Sequence, residues 1–494
     1  MSDDRHDPPD REAVARGRLT LDALNHLVDD GIVDTIITAI PDMYGRLMGK
    51  RFSARFFLEE VAAHGMEACD YLLGCDIEME PQPGYKLTSW EAGYGDFVAR
   101  PDFATMRPLP WLEKTVLLLC DLYTQNGDPV EEAPRRILQK QVKRARALGY
   151  EPYLGSELEL YLYKESYTAA RRKHHHDLAL DGAFPQDYHI LQTTRDEWLI
   201  RQIRLGMEGA GISVECSKGE WSAGQHEINL RFATAVEMAD RHVVYKNGAK
   251  EIAALNDVSL TFMAKWHPDA AGSSCHVHSS LRAKNGNGNG HGYGAEQGTE
   301  SGHGNGNGNK RAVFWDEDGV LFKMSSVMRQ YVAGQLALAR DFSYFFAPTI
   351  NSYKRYQAAT FAPTAIAWGR DNRTCGFRLV GNSPTSLRIE NRIPGADVNP
   401  YLTFAATIAA GLYGIEQGLD LPAPCVGDAY QDQSLPRIPG SLREATACLE
   451  QSEAARAAFG DVVVEHYLNA ARREQAIYDR AITCWELDRY FERI

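Results

Sequence analysis

Four short segments of the chain alternate charged and apolar side chains with a period of two, and few folds accommodate that pattern. In Ser156–Leu162, Leu158, Leu160 and Leu162 share one face of a strand, which leaves Glu157 and Glu159 side by side on the other. Glu227–Phe232 sets Glu227, Asn229 and Arg231 opposite its apolar residues. Cys275–His278 points His276 and His278 the same way. Leu387–Ile393 carries Arg388, Glu390 and Arg392 opposite Leu387, Ile389 and Ile393.

Taken singly, each strand has an ordinary reading as a solvated sheet face with surface ion pairs. Together they are harder to dismiss. Two carboxylates on one strand face repel each other, and a divalent cation between them relieves the repulsion. Carboxylates with one imidazole suit magnesium or manganese better than zinc, which prefers thiolate or several imidazoles. Arg355, Arg370, Arg373, Arg378, Arg388 and Arg392 crowd into one short stretch, and the planar Arg fork binds two phosphate or carboxylate oxygens at once. Carboxylates of this kind beside such arginines describe a site for a Mg-nucleotide and an anionic co-substrate. The alternative is a set of structural Arg–Glu pairs.

The rest of the chain bounds this reading. Its 494 residues exceed a single typical domain, and its net charge of −13 disfavours nucleic acid and anionic membranes as partners. Nine cysteines, scattered without a CxxC pair, suit a reducing, cytoplasmic location. The start lacks the apolar core of a secretory signal, and Leu402–Ile415 is too short to span a membrane and reads as a buried helix. Residues 1–17 read as a disordered tail and 18–125 as a small α+β domain of short strands. Thr20 caps a first helix with Leu21, Leu24, Leu27 and Val28 on one face, and Gly31 ends it. The turn cluster Gln125–Pro129 marks the boundary to a second unit, 126–494. That unit opens with a helix holding Pro134 in its first turn and Ile137, Leu138, Ala145 and Leu148 inward. An Asn-Gly-rich segment, 284–310, reads as a flexible insertion. Gly45–Lys50 is one residue short of a P-loop and reads as a turn. Lys173–His176 reads as a surface loop.

Several motifs, in order along the chain, resemble type I glutamine synthetases. They are Glu157-Leu-Glu159, Lys218-Gly-Glu220 through Glu227, Gly272 through His278, Asn351 through Arg355, Arg373 with Arg378, and Arg388 through Tyr401. The resemblance covers nearly the whole chain from about residue 20. It implies an α+β fold with an N-terminal β-grasp domain and a larger catalytic domain. It also implies two stacked hexameric rings, a homododecamer in which a neighbour's N-terminal domain completes each site. One Mg2+ or Mn2+ would be held by Glu159, Glu220 and Glu227, and a second by Glu157, His276 and Glu390. Glu215, His278, Ser280, Arg378 and Arg388 would bind ATP, while Gly272, Arg355, Arg373 and Arg392 would bind glutamate or the transferred phosphate.

Departures from the family pattern concentrate in one half of the site. Ammonia-using members carry a glutamate two residues before a proline after the Asn-Ser-Tyr-Lys-Arg run, and Phe361 stands there, before Pro363. The Asp-Gly-Ser-Ser motif is missing, and only Glu67 or Asp70, the latter with a one-residue shift, offers a carboxylate in that region. Ala271 and Trp266 replace the usual Asn and Pro. The expected activity is therefore ATP-dependent joining of the glutamate γ-carboxyl to a primary amine, through γ-glutamyl phosphate. The resemblance extends to γ-glutamylethanolamide synthetases first and γ-glutamylpolyamine synthetases next. Phe361 would line the amine pocket, Asp70 or Glu67 would capture the amine cation, and Arg373 would assist catalysis. An ammonia-dependent glutamine synthetase and a non-catalytic regulator are the alternatives. Tyr430, near where adenylylated relatives are modified, lacks the usual surrounding residues and reads as a plain surface tyrosine.

Overall fold

The computed structural model describes residues 18–284 and 312–494, so the tail and, apart from its first residue, the Asn-Gly insertion lie outside the described residues. The helix Leu21–Asp29 begins as expected, with the Thr20 hydroxyl accepting from the Ala23 N–H and Ala23, Leu24, Leu27 and Val28 buried. It leads into five strands: β1 (Thr35–Pro41), β2 (Leu47–Ser53), β3 (Met66–Cys69), β4 (Asp96–Pro108) and β5 (Thr115–Tyr123). Their order is β2-β1-β5-β4-β3, and β1 runs parallel to β5. One expectation fails here. The strands are not uniformly short, because β4 runs for 13 residues, pairs its Pro101 with Cys120, and then shifts register between Asp102 and Arg107. The P-loop-like run divides between a turn at Gly45, where φ is +76°, and the start of β2.

The second sheet positions the site. Its strands are β6 (Tyr150–Tyr163), β7 (Val214–Gly219), β8 (Gln225–Leu230), β9 (Ala233–Thr234), β10 (Ser259–Thr261), β11 (Cys275–Ala283), β12 (Trp368–Arg370), β13 (Phe377–Val380) and β14 (Arg388–Asn391). The order is β12-β13-β14-β11-β6-β8-β7, with β9 and β10 paired to the long central β6. The apolar faces foreseen from the alternation are buried: Leu158, Leu160, Leu162, Ile228, Leu230, Val277 and Ile389 all belong to one core cluster. Helices Pro134–Ala147, Ala235–Leu255 and Pro400–Glu416 feed the same core. Two details differ from the sequence reading. Leu148 falls after the helix end and is exposed, its inward place taken by Val142. Arg231 and Phe232 lie beyond β8, so the charged face of that strand ends at Asn229.

A buried arginine ties the two sheets together. Arg135, in the first turn after Pro134, reaches Asp102 on β4 at 2.6 Å and Asp121 on β5 at 2.7 Å. It also grips Asp240 of the helix Ala235–Leu255 at 2.9 Å, and Tyr401 donates to that carboxylate at 2.7 Å. Among the described residues, no helix is long and apolar enough to cross a membrane.

Candidate active site

Strand register alone builds three rows across the polar face of the second sheet. Arg378 on β13 lies opposite Glu390 on β14, which lies opposite His278 on β11. One row along, His276 faces Glu157 on β6. In the third, Glu159 on β6 faces Glu227 on β8, and Glu227 faces Lys218 on β7. Glu220 joins from the loop after β7, with its backbone N–H held by the Gln225 carbonyl at 2.9 Å. Residues far apart in sequence thus converge because the period-two face is continuous from strand to strand.

The six ligands expected from the resemblance come together. Glu159, Glu220 and Glu227 offer oxygens within 4.8 Å of one another, as the first expected trio requires. Glu157 with His276 and Glu227 makes a second such group, and Glu157 with His278 and Glu390 a third. The residues of the second expected set, Glu157, His276 and Glu390, are thus shared between these two groups, with His278 beside them. His276 Nδ1 stands 3.4 Å from Glu157 and 3.5 Å from Glu390, while His278, expected at the nucleotide, sits closest to Glu157 at 2.8 Å.

Electrostatics divides the cluster into two halves. Burial, reinforced by the Glu220 charge, pushes the Glu159 carboxyl up to about 8. Burial also raises Glu220, and raises Glu227 well above the carboxylate range, with Glu157, Glu220 and Glu159 adding repulsion at Glu227. At Glu390, burial is outweighed by Arg392 and by the two imidazoles, which bring it down to about 2. Glu157 is likewise held low by His278 and His276 against its burial. His276 itself is lowered to about 4 by burial and by Arg392, so it is neutral at pH 7, and its buried Nε2 has no hydrogen-bond partner. A neutral imidazole with a free nitrogen, beside carboxylates that repel one another, is a donor set that fits a hard divalent cation.

The arginines fall into distinct roles. Arg378 donates to Glu390 at 3.0 Å and pairs with Asp371. Arg392 donates to Glu390 at 2.6 Å and to the Phe361 carbonyl at 3.3 Å. Arg388 lies 3.1 Å from His278 Nδ1, and Arg373 is exposed in the turn between β12 and β13. Arg355 does not present a free fork. It is buried and donates to the Ile393 and Arg392 carbonyls and to Ser274 Oγ at 2.8, 3.1 and 2.8 Å, so it shapes the site's backbone. Gly272 fits against it so closely that an added Cβ would come within 2.6 Å of Arg355 Cγ. Ser280 continues the His276–His278 face of β11, and exposed Glu215 sits at the β7 irregularity, lining a cavity of about 570 Å³ with Lys218.

Glu67 and Asp70 are not part of this constellation within one chain. Glu67 is exposed on β3, and Asp70 is buried at the end of that strand, accepting a hydrogen bond from Thr88 Oγ1. Among the described residues, no hydrogen bond or ion pair joins either to the six-ligand cluster. Tyr430 is not a plain surface residue, since its half-buried hydroxyl donates to the Ala362 carbonyl at 3.0 Å. His174–His176 occupy a turn and belong to none of the candidate metal groups. The sequence reading gave no role to Lys218, which pairs with Glu220 and lies 4.0 Å from Glu227, nor to Trp221. Their signal is position: Lys218 lies two residues before Glu220 and Trp221 directly after it.

The family profile described as "Glutamine synthetase, catalytic domain" matches residues 131–302 and 306–490. The chain belongs to the glutamine synthetase family. It is 48% identical over 476 residues to gamma-glutamylethanolamide synthetase of Streptomyces coelicolor, covering 96% of each chain. It is 35% identical to glutamate–isopropylamine ligase of a Pseudomonas species, covering 94% of this chain and 96% of the relative. A solved structure described as a GmaS–ADP complex superposes with a TM-score of 0.78 at 25% identity, covering 95% of this chain and 99% of that one. These relatives include ligases, and the glutamine synthetase fold accounts for both sheets.

Proposed function

We propose that this protein is an ATP-dependent γ-glutamyl-amine ligase acting on L-glutamate and a small primary amine, with ethanolamine favoured and a polyamine such as putrescine next. The observation that carries the reading is Phe361. Its carbonyl is bound to Arg392, beside the carboxylate cluster, while its ring meets Trp221. An aromatic ring there supports an organic amine over ammonium, because it cannot accept a proton and it packs against carbon. The names of the Streptomyces and Pseudomonas relatives support the same substrate class.

In the proposed first step, the γ-carboxylate of glutamate attacks the γ-phosphorus of ATP, giving γ-glutamyl phosphate and ADP. Arg378, Arg392 and Arg373 spread positive charge toward the transferring group, and Glu390 fixes the directions of Arg378 and Arg392. Glu215, His278, Ser280 and Arg388 would contact the nucleotide, and Gly272 would admit glutamate close to the backbone. Two Mg2+ or Mn2+ ions, held by Glu159, Glu220 and Glu227 and by Glu157, His276 and Glu390, would neutralise phosphate oxygens when bound. The amine then attacks the acyl carbon and phosphate leaves.

An alkylammonium ion titrates near the lysine value of about 10.4, so it must lose a proton before attack. Glu67 or Asp70 would serve in that capture only from a neighbouring copy, in a dodecamer of two hexameric rings with 18–125 as the domain that completes the adjoining site. Phosphate release measured with ATP, glutamate and a panel of ethanolamine, isopropylamine, putrescine and ammonium tests the reading. Faster turnover on ammonium than on every organic amine would reject it.

A further inference from the structure

Trp221 follows a ligand of the carboxylate cluster directly, yet its side chain is turned away from the core and is 58% exposed. The residues on both sides of it are fixed. Glu220 is held through its N–H by the Gln225 carbonyl at 2.9 Å, and Ser222 Oγ accepts the Ala271 N–H at 2.9 Å. Trp221 thus lies in a short segment tied at one end to the carboxylate cluster, through Glu220, and at the other to Ala271, the residue before the glycine expected to admit glutamate. Across from it lies Phe361, with ring centroids 5.9 Å apart and an interplanar angle of 66°.

Phe361 is held there against its backbone preference. Its φ is +59°, in the left-handed region that a bulky side chain rarely adopts, and Ala359 two residues earlier has φ of +61°. Such a conformation persists where neighbours over-determine it. Arg392 binds the Phe361 carbonyl, Tyr430 binds the Ala362 carbonyl, and Thr360 Oγ1 donates to the Gln357 carbonyl at 2.7 Å. The result is a solvent-facing edge-to-face pair of rings, fastened on one side by Arg392 at the Phe361 carbonyl and on the other by the Glu220–Ser222 segment.

We infer that Trp221 is a specificity-determining residue which, with Phe361, forms an aromatic gate that selects small alkylammonium ions by ring–cation contact and by covering their carbon atoms. The inference rests on the proposed amine-ligase reading and adds the recognition element. A ring face attracts the ammonium charge without holding a proton, and it covers methylene groups that a carboxylate would leave in water. Ammonium, with no carbon to cover, gains only the charge contribution.

The test is steady-state kinetics of the full-length enzyme and its Trp221→Leu and Trp221→Phe variants, with KM determined separately for ethanolamine, ammonium, glutamate and ATP. The expected result for Trp221→Leu is an ethanolamine KM raised about tenfold, the size of one ring–cation contact, with the glutamate and ATP values within about twofold of wild type. Trp221→Phe should recover most of the loss. An unchanged ethanolamine KM in Trp221→Leu would overturn the gate while leaving the ligase reading standing. A parallel rise of all KM values would also overturn it, because Trp221 would then only support Glu220. If the wild-type enzyme turns over no primary amine, the ligase reading itself fails and the gate falls with it.

Discussion

Replacing Glu227 by Gln should stabilise the metal-free protein and weaken its response to metal, two effects of opposite sign from one atom. Glu227 is buried, and its carboxylate shares a space in which ligand oxygens lie within 4.8 Å of one another. Two unit charges at that separation, in an effective dielectric near 20, repel by about 3.5 kcal/mol. Lys218 at 4.0 Å offsets part of this, and the raised pKa values mean that protons already relieve another part. A net gain of about 1–2 kcal/mol at pH 8 without metal is therefore expected, seen as a melting temperature a few degrees higher. With Mn2+ at a hundred times its Kd, the wild type should gain about 2.7 kcal/mol, and the variant should gain much less because it has lost a charged ligand. Thermal melts in EDTA and across an Mn2+ titration would show the two curves crossing. A variant that melts lower than wild type in EDTA, or that keeps the full Mn2+ increment, would refute the charge-repulsion account of the cluster.

The same electrostatics fixes a pH dependence for the metal-free protein. Glu159 is raised from its ordinary 4.5 to about 8, so the stability it contributes is fully present below the lower value and is lost as pH rises through the upper one. Melting temperature in EDTA should fall between about pH 4.5 and pH 8 and level off above that, and saturating Mn2+ should flatten the slope. Arg135→Met would leave Asp240 and Asp121 buried or half-buried without their cation, and denaturant titration should report a loss of about 3–5 kcal/mol. Tyr430→Phe removes the bond to Ala362 and should raise the KM for amine severalfold while leaving that for ATP in place, measured by the same phosphate assay. Phe361→Glu should restore a carboxylate beside Arg392 and shift the ratio of ammonium to ethanolamine turnover toward ammonium by tenfold or more.

The polar face of the second sheet was legible because strands report their faces directly. Once Glu157, Glu159, His276 and Glu390 are known to lie on period-two strands, pairing those strands in any register that buries the leucines brings the charges together. The resemblance to glutamine synthetases supplied what periodicity could not, namely that Glu220, on a loop with no alternation, belongs with them. What stayed hidden depended on donors whose partners are backbone. Arg355 looks like an anion fork in sequence, and in the fold its two terminal nitrogens are bonded to the Ile393 and Arg392 carbonyls and to Ser274. Tyr430 looked superficial because nothing in its neighbourhood announces the Ala362 carbonyl 68 residues away. The long β4 strand was missed because Pro101 reads as a strand breaker, whereas it is accommodated inside a paired strand.

The division of the site into a preserved half and a rebuilt half has a physical basis in where the charges are. Phosphoryl transfer from ATP to glutamate brings several anionic oxygens together, whatever amine follows. The cluster of Glu157, Glu159, Glu220, Glu227, His276 and Glu390, with Arg378 and Arg392 locked onto Glu390, answers that constant demand. The acceptor makes a variable demand, since ammonium is all charge and an alkylamine is charge plus hydrocarbon. A loop whose carbonyls at Phe361 and Ala362 are fastened by Arg392 and Tyr430 can exchange its side chain at residue 361 without disturbing the phosphoryl half. The anchoring bonds are made to the backbone, so the side chain at 361 takes no part in them and can bear on the amine in the proposed reaction. On the proposed function, that separation makes Phe361 and Trp221 the positions to vary when testing for a change of amine without a loss of ATP chemistry.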